Sequence, residues 1–425
     1  MKNLRFTLLL GLIFFFFGIF NTQTINAQVL DYSEYNGVVL DSNTNDPLVS
    51  VSIKLTNSNL GSITNDEGAF TIKVPNDRGI TSMEFSLLGY ESKTVPLSKL
   101  SSGKNRIKLD MRVTELSQVN IASFKSAKAL VKAVFDKKEQ NNLNQSTVMT
   151  AFYRETIKRR NRNVSLTEAV VNLYKQPYSS GVKDVVGLHK ARKSTDYRRL
   201  DTVALKLQGG PFSTLYLDIM KYPEYIFTPV TMDEYEFSFG VPSTVNNRPV
   251  YVVNFKQKPE IDVPRYFGSL FIDSETLALS SASYSLNLVG MKDSANNMFV
   301  KRKPRDIDVT PLSASYKVDY REKNGQWYYG YGSVDLSFKV KKRRKLFNSI
   351  YTLSSEMAVT DWEVNTTGVR LKGKDRLKPT VIMTDAVSGF RDPDFWGPYN
   401  VIEPEKSIES AINKIQRKLR RNGTL

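Results

Sequence analysis

The sequence predicts a mainly β protein in two parts: a small antiparallel β-sandwich, then an α+β domain built on a curved antiparallel sheet, a half-barrel with packed helices. Three observations lead there. Apolar and polar residues alternate over runs of strand length along most of the chain. Turn residues such as Asp46-Pro47, Asn65 to Gly68, Gly89 and Asn324-Gly325 separate those runs. Helical spacing is confined to a few stretches, the clearest being SFKSAKALVKAVFDKKEQNN from Ser123.

The totals set limits. The chain has 425 residues, no Cys, one His and a formal charge of +17, a length that fits two or three domains. Without Cys there is no disulfide framework, thiol nucleophile or thiolate zinc site, and no lipid anchor of the kind that needs a Cys after the cleavage site. Met1 to Ala27 reads as a secretory signal peptide: Lys2 and Arg5 supply the positive region, LLLGLIFFFFGIF the apolar one, and small Ala27 the cleavage site. The apolar run falls short of the roughly 20 residues a span needs. This places the mature chain outside the cytoplasm, in the periplasm or at an outer membrane. The expected organisation is a signal peptide at 1–27, the sandwich at 28–113, a linker at 114–122, the curved-sheet domain at 123–366, and at 367–425 a basic loop, an aromatic segment and an amphipathic helix.

In the first part, YNGVVLDS, VSVSIKLTNS, GAFTIKVP and ITSMEFSLLGY read as strands. Val51, Ile53 and Leu55 share one face, as do Phe70, Ile72 and Val74, the pattern of a sandwich with one buried face per sheet. Asn65-Asp66-Glu67-Gly68 reads as the turn between two such strands, with Gly68 taking positive φ. It offers too few oxygens for the six or more that calcium takes. The helix follows, with Ala127, Leu130, Val131, Val134 and Phe135 on its apolar stripe and Ser123 as its cap. Strand patterns then dominate: VMTAFYRETIKR, VSLTEAVVNLYK, EYEFSFG, VYVVNFKQK, FGSLFIDS, TLALSSASYSLNL, LSASYKVDYRE, WYYGYGSVDLSFKV and LFNSIYTLSSEMAV. A short helix begins at Pro211. Asn324-Gly325 is a two-residue hairpin turn.

These residues carry a resemblance. Gly37, Val39, Asp41, Pro47, Leu48, Val51, Ile53, Gly61, Thr64, Asn65, Gly68, Phe70, Ile72, Ser86, Gly89 and Tyr90 match, in order, the pattern of the carboxypeptidase regulatory-like domain. The resemblance implies a prealbumin-like sandwich of about seven strands with no catalytic activity of its own. VTELSQVNI at 113–121 resembles the segment that follows this module in TonB-dependent outer-membrane receptors. The residues remaining are about half of what such a receptor's barrel and plug need. YVVNFKQKPE with FGSLFIDSETLALSSASYSLN resembles the periplasmic lipoprotein-carrier fold, which implies a half-open barrel around a helix. AFYRE at 151–155 and DPDFWGPYN near the end resemble segments of uncharacterised extracytoplasmic proteins.

The basic excess lies in the second part, in clusters at Lys158 to Arg162, Lys190 to Arg199, Lys301 to Arg305, Lys339 to Lys345 and Arg417 to Arg421. Lys341, Lys342, Arg343, Arg344 and Lys345 fall between two strand patterns and read as a hairpin tip, a candidate contact for anionic lipid headgroups or outer-membrane polysaccharide. Export argues against nucleic acid as a partner. The closing helix carries Ile408, Ala411, Ile412, Ile415 and Leu419 on one stripe.

Candidate chemistry is sparse. His189 is the only histidine, in what reads as a basic loop, so a zinc carboxypeptidase site cannot be assembled. Ser101 and Lys104 match S-x-x-K without its companion motifs. Asp392 and Asp394 read as part of a packed loop. No cofactor is expected. The sequence therefore points to a noncatalytic binding protein of the cell envelope, holding a lipidic or apolar ligand in the sheet's concavity or an envelope partner on the sandwich. An envelope hydrolase using carboxylates on glycans or peptides and a purely structural interaction protein are the alternatives.

Overall fold

The computed structural model describes residues 31–112, 124–160, 162–195, 208–299, 305–343, 348–387 and 393–405. The signal peptide, the linker, VTELSQVNI, Ser123, Arg344, Lys345, Asp392, the closing helix and parts of the other basic clusters lie outside the described residues.

Seven strands form the first part: β1 (Tyr32–Asp41), β2 (Ser52–Leu55), β3 (Gly61–Ile63), β4 (Ala69–Pro75), β5 (Ser82–Ser86), β6 (Lys93–Pro96) and β7 (Lys104–Leu109). They make two sheets, β4-β1-β7 and β3-β2-β5-β6. Val51, Ile53, Leu55, Phe70, Ile72 and Val74 are buried between them, as their alternation requires. One pairing departs from expectation: β1 and β7 run parallel, because β7 arrives after the chain has already crossed to the other sheet. The turn reads as expected. Asn65 Oδ1 accepts from the amides of Glu67 and Ala69 at 2.9 Å each, and Gly68 has φ +69°.

The second part is one eleven-stranded antiparallel sheet of β8 (Thr147–Arg159), β9 (Arg162–Lys175), β10 (Val185–Thr195), β11 (Tyr235–Phe239), β12 (Ser243–Val245), β13 (Arg248–Gln257), β14 (Tyr266–Asp273), β15 (Leu279–Leu286), β16 (Ile307–Lys323), β17 (Gln326–Lys342) and β18 (Ser349–Val364). Its order is β10-β9-β8-β18-β17-β16-β15-β14-β13-β11, with β12 also on β13. One face packs on helices α1 (Ala127–Asp136), α2 (Lys138–Asn141), α3 (Pro211–Leu215) and α4 (Lys292–Phe299), and a single apolar core joins all of them except α2 to that face. Helix α5 (Met383–Ala386) lies near the β10 edge, where Lys193 bonds Thr384 O.

The stripe of α1 is buried as its spacing requires, but the cap is Ser126, whose Oγ accepts from the amide of Ala129 at 3.2 Å. It stands where the chain is still extended, one residue before the first helical turn. Pro211 opens α3. Asn324 and Gly325 both have positive φ, +53° and +80°, the geometry a tight hairpin needs. The basic loop expected around His189 is a strand: those residues form β10, the edge of the large sheet. Lysines and a bulge between Leu188 and Lys190 are common guards of an edge strand, and they masked the apolar alternation of Val186 and Ala191.

Candidate functional site

The helix-side face is filled by side chains. Phe135, Phe227, Phe255, Tyr235 and Tyr284 pack ring to ring across it, with centroids 5.1 to 6.4 Å apart. A hollow beneath α1, among Val131, Val134, Phe135, Ile219, Phe227, Leu270, Ile272 and Leu279, has a volume of about 10 Å³. That is the space of about one water.

A charged cluster is enclosed on the same side. Lys175 closes β9, and its ammonium lies 2.7 Å from both Asp184 and Asp218. Tyr178 and Tyr320 donate to Asp218 at 2.9 and 3.0 Å, and Tyr222 donates to Asp184 at 2.8 Å. Burial pushes the lysine pKa down, but the two carboxylates overcome it and hold the ammonium above the usual lysine range. The cluster pins the loop after β9 and the segment around Asp218 to β16.

The opposite face of the sheet is also covered, by the sandwich and by a strap, residues 395–405. Arg192, Glu168, Arg154 and Glu356 stand directly opposite one another on β10, β9, β8 and β18, so their signs alternate across four neighbouring strands. Arg154 bonds Glu168 at 2.8 Å and Glu356 at 3.3 Å, and Arg192 bonds Glu168 at 2.6 Å. Burial pushes Glu168 up, and the two guanidiniums outweigh it and hold the carboxyl below the usual range. Arg154 also donates to the carbonyls of Ile402 and Glu403 in the strap, at 2.6 and 3.3 Å.

The sandwich is fixed to this face by polar bonds. Arg321, buried on β16, donates to Val359 O at 2.7 Å and to Ser62 O of the sandwich at 3.0 Å. A Cβ at Gly330 would stand 2.7 Å from its side chain, so the bare glycine makes room for it. The strap lies against both parts. Trp396 packs on Phe152 with centroids 5.4 Å apart, and Ile402 is fully buried. Ser62 Oγ donates to Val401 O at 3.0 Å and Asn65 Nδ2 to Glu403 O at 3.1 Å. Asn65 is the first residue of the NDEG turn, so that turn also grips the strap.

Between sandwich, sheet and strap lies an open cleft of about 760 Å³, with Tyr32, Asn36 and Thr71 on one wall, Arg154 and Arg192 on the floor, and Trp396 on the other wall. Ligand sites commonly run from about 300 to 1,000 Å³.

Carboxyls gather nearby. Glu356 is pushed up to about 7 by burial, against the pull of Arg154, with Asp66 and Glu405 raising it further. Asp66 is raised by burial and by Glu405. On the helix side, burial raises Glu155 to about 7. Tyr153 donates to one of its oxygens at 2.9 Å, and the other has no partner among the described residues. A carboxyl raised in the folded state favours folding while protonated and opposes it once ionised. Stability is therefore expected to fall as pH rises from about 4.5 to about 7 and to stay lower above that, by roughly 3–4 kcal/mol at most for each of Glu155 and Glu356. Urea unfolding at pH 5 and pH 8 checks this. Glu155→Gln should narrow the gap between the two.

The other sequence candidates lie elsewhere. Lys341 and Lys342 are the last residues of β17, and Lys342 and Arg343 lie 3.8 and 4.0 Å from Asp306 and Asp308. None of the three lines the cleft. His189, exposed on β10, shares a hydrogen bond of 2.7 Å with Tyr399. Lys104 opens β7, and the Asn105 side chain bonds the backbone of Ser101. Asp394 belongs to a short turn, Pro393–Trp396. Among the described residues no acidic or histidine group is placed to hold a metal ion, and no helix is long and apolar enough to cross a membrane. Sequence reading missed the four-strand charge ladder and the Lys175 cluster. The available signal was a charged residue inside an apolar run, as in TAFYRET and LTEAVVN.

Residues 35–121 match the family model described as the CarboxypepD_reg-like domain, where the sequence pattern placed it. No curated protein matches the chain. Solved structures similar to it include two of known source. A DUF1329 family protein from Desulfovibrio piger is 13% identical, over 56% of this chain and 95% of its own, with a TM-score of 0.22. A LolA superfamily protein from Nitrosomonas europaea is 7% identical, over 61% of this chain and 100% of its own, with a TM-score of 0.20.

Proposed function

We propose that this chain, a CarboxypepD_reg-like sandwich fastened to the back of an eleven-stranded sheet, is a noncatalytic binding protein of the cell envelope that takes its ligand or partner in the cleft between sandwich, sheet and strap. The observation that carries this reading is the cleft itself, about 760 Å³, against a hollow of about 10 Å³ beneath α1. That hollow is too small for a lipidic chain, whereas the cleft offers aromatic, amide and charged groups together. The leader at residues 1–27 supports the envelope setting. The absence of Cys, the single His outside the cleft and the pairing of the floor's charges with one another support binding without chemistry.

The test is native mass spectrometry of the protein taken from envelope extracts. Wild type is expected to carry a bound species that Asn36→Trp, which puts an indole into the cleft from the sandwich wall, releases. A species held equally by both overturns the reading.

A hydrolase reading has one observation in its favour, the raised carboxyl of Glu356 beside Asp66. Glu356 is engaged by Arg154 at 3.3 Å and by Tyr331 at 3.3 Å, which suits a joint between parts better than an acid awaiting a substrate. Turnover of envelope glycans or peptides that Glu356→Gln abolishes would favour the hydrolase instead.

A further inference from the structure

The free edge of the sandwich opens on the same cleft. β4 is the end strand of its sheet. In an antiparallel ladder, alternate residues turn both their N–H and their C=O away from the neighbour. On β4 the outward residues are Ala69, Thr71, Lys73 and Pro75, since the backbone of Lys73 bonds outward to the strap. Three of the four are already provided for. Ala69 is paired on both sides by Asn65, through its Oδ1 at 2.9 Å and its amide at 3.0 Å. Lys73 donates its N–H to Asn400 Oδ1 at 2.7 Å and accepts from Asn400 Nδ2 at 3.3 Å. Pro75 has no N–H to leave open.

Thr71 is the exception. Its outward N–H and C=O have no partner among the described residues, and it lines the cleft. Asn400 indicates what kind of group fits there. The Asn400 carboxamide uses one of its two N–H donors and its C=O acceptor here, the same pair that a peptide unit offers, so the strap already occupies this edge with a stand-in for a strand. The strap is also held largely through its backbone carbonyls, by Arg154, Ser62 and Asn65. Grip of that kind is indifferent to side-chain identity, and it is continuous with the open part of the cleft.

We infer that the cleft accepts an extended polypeptide segment, which adds to the edge of β4 by pairing with Thr71 and, where the Asn400 side chain gives way, with Lys73. Main-chain pairing supplies the anchorage and the walls of the cleft select the side chains, the arrangement of strand-addition sites generally. The inference rests on the cleft being the binding place, and it names the class of partner.

The test uses the full-length mature protein and a phage-displayed library of random 12-residue peptides, with selected peptides synthesised and titrated by calorimetry. Thr71→Pro removes the outward N–H at a position where an edge strand tolerates proline, and is expected to weaken binding at least tenfold. Thr71→Val keeps the backbone and should bind as wild type. Asn400→Ala exposes the Lys73 pair and should tighten binding. Asn36→Trp should abolish it. In unaltered protein the Thr71 amide should exchange at least tenfold more slowly with peptide bound, which keeps the test sound if the proline variant folds poorly. Binding lost in Asn36→Trp but unchanged in Thr71→Pro, with no protection at Thr71, overturns strand addition and leaves the cleft reading standing. Peptides that ignore Asn36→Trp overturn both, and a library that yields no binder overturns the polypeptide inference.

Discussion

Lys175→Met is expected to cost roughly 3–5 kcal/mol of folding stability, the cost of breaking a buried ion pair by removing one partner. The lysine side chain is 2% exposed and both carboxylates 0%, so the variant leaves two buried carboxylates, Asp184 and Asp218, without the ammonium that bridges them. The tyrosine hydroxyls already donate to those carboxylates and have no second proton to give. The neutral triple variant Lys175→Met, Asp184→Asn, Asp218→Asn should recover a good part of the loss, because replacing a whole buried ion cluster costs far less than breaking it. Urea unfolding of the three proteins at pH 7 decides the matter. A single variant as stable as wild type would mean that the cluster is hydrated and pins nothing.

Arg154→Met is expected to free the strap. It removes both donors to the carbonyls of Ile402 and Glu403, leaves Glu356 without its guanidinium, and leaves Glu168 with Arg192 alone. A loss of about 3–5 kcal/mol is again expected, concentrated at the joint between parts. Amide exchange across residues 395–405 should quicken more than tenfold, while β13 to β15, on the far side of the sheet, keep their protection. Unchanged exchange in the strap would show that Trp396 and Ile402 hold it by packing alone.

The sandwich was readable because each of its sheets buries one face, so that Val51, Ile53 and Leu55 alternate cleanly with polar neighbours. The helix stripe from Ala127 and the Asn324-Gly325 turn were readable for similar local reasons. Strands β8 and β9 carry buried residues on both faces, so Tyr153, Arg154 and Glu155 are all buried in succession and the period of two disappears. Their strand character survived in composition, but which face each charge took did not. The ladder joins residues 154, 168, 192 and 356, and only the strand order brings these positions opposite one another. The strap has no period at all. Its aromatic and proline content marked it as packed, while the groove that receives it is assembled from Ser62, Asn65 and Arg154, on two different parts of the chain.

Under the proposed function the protein binds on its sandwich-side face and not beneath its helix. Amide hydrogen exchange of the intact protein, with and without a soluble envelope extract, tests it most directly. Slower exchange in β1, β4 and residues 395–405, with α1 and β13 to β15 unchanged, is the predicted result. Protection confined to α1 and the strands beneath it would contradict the claim.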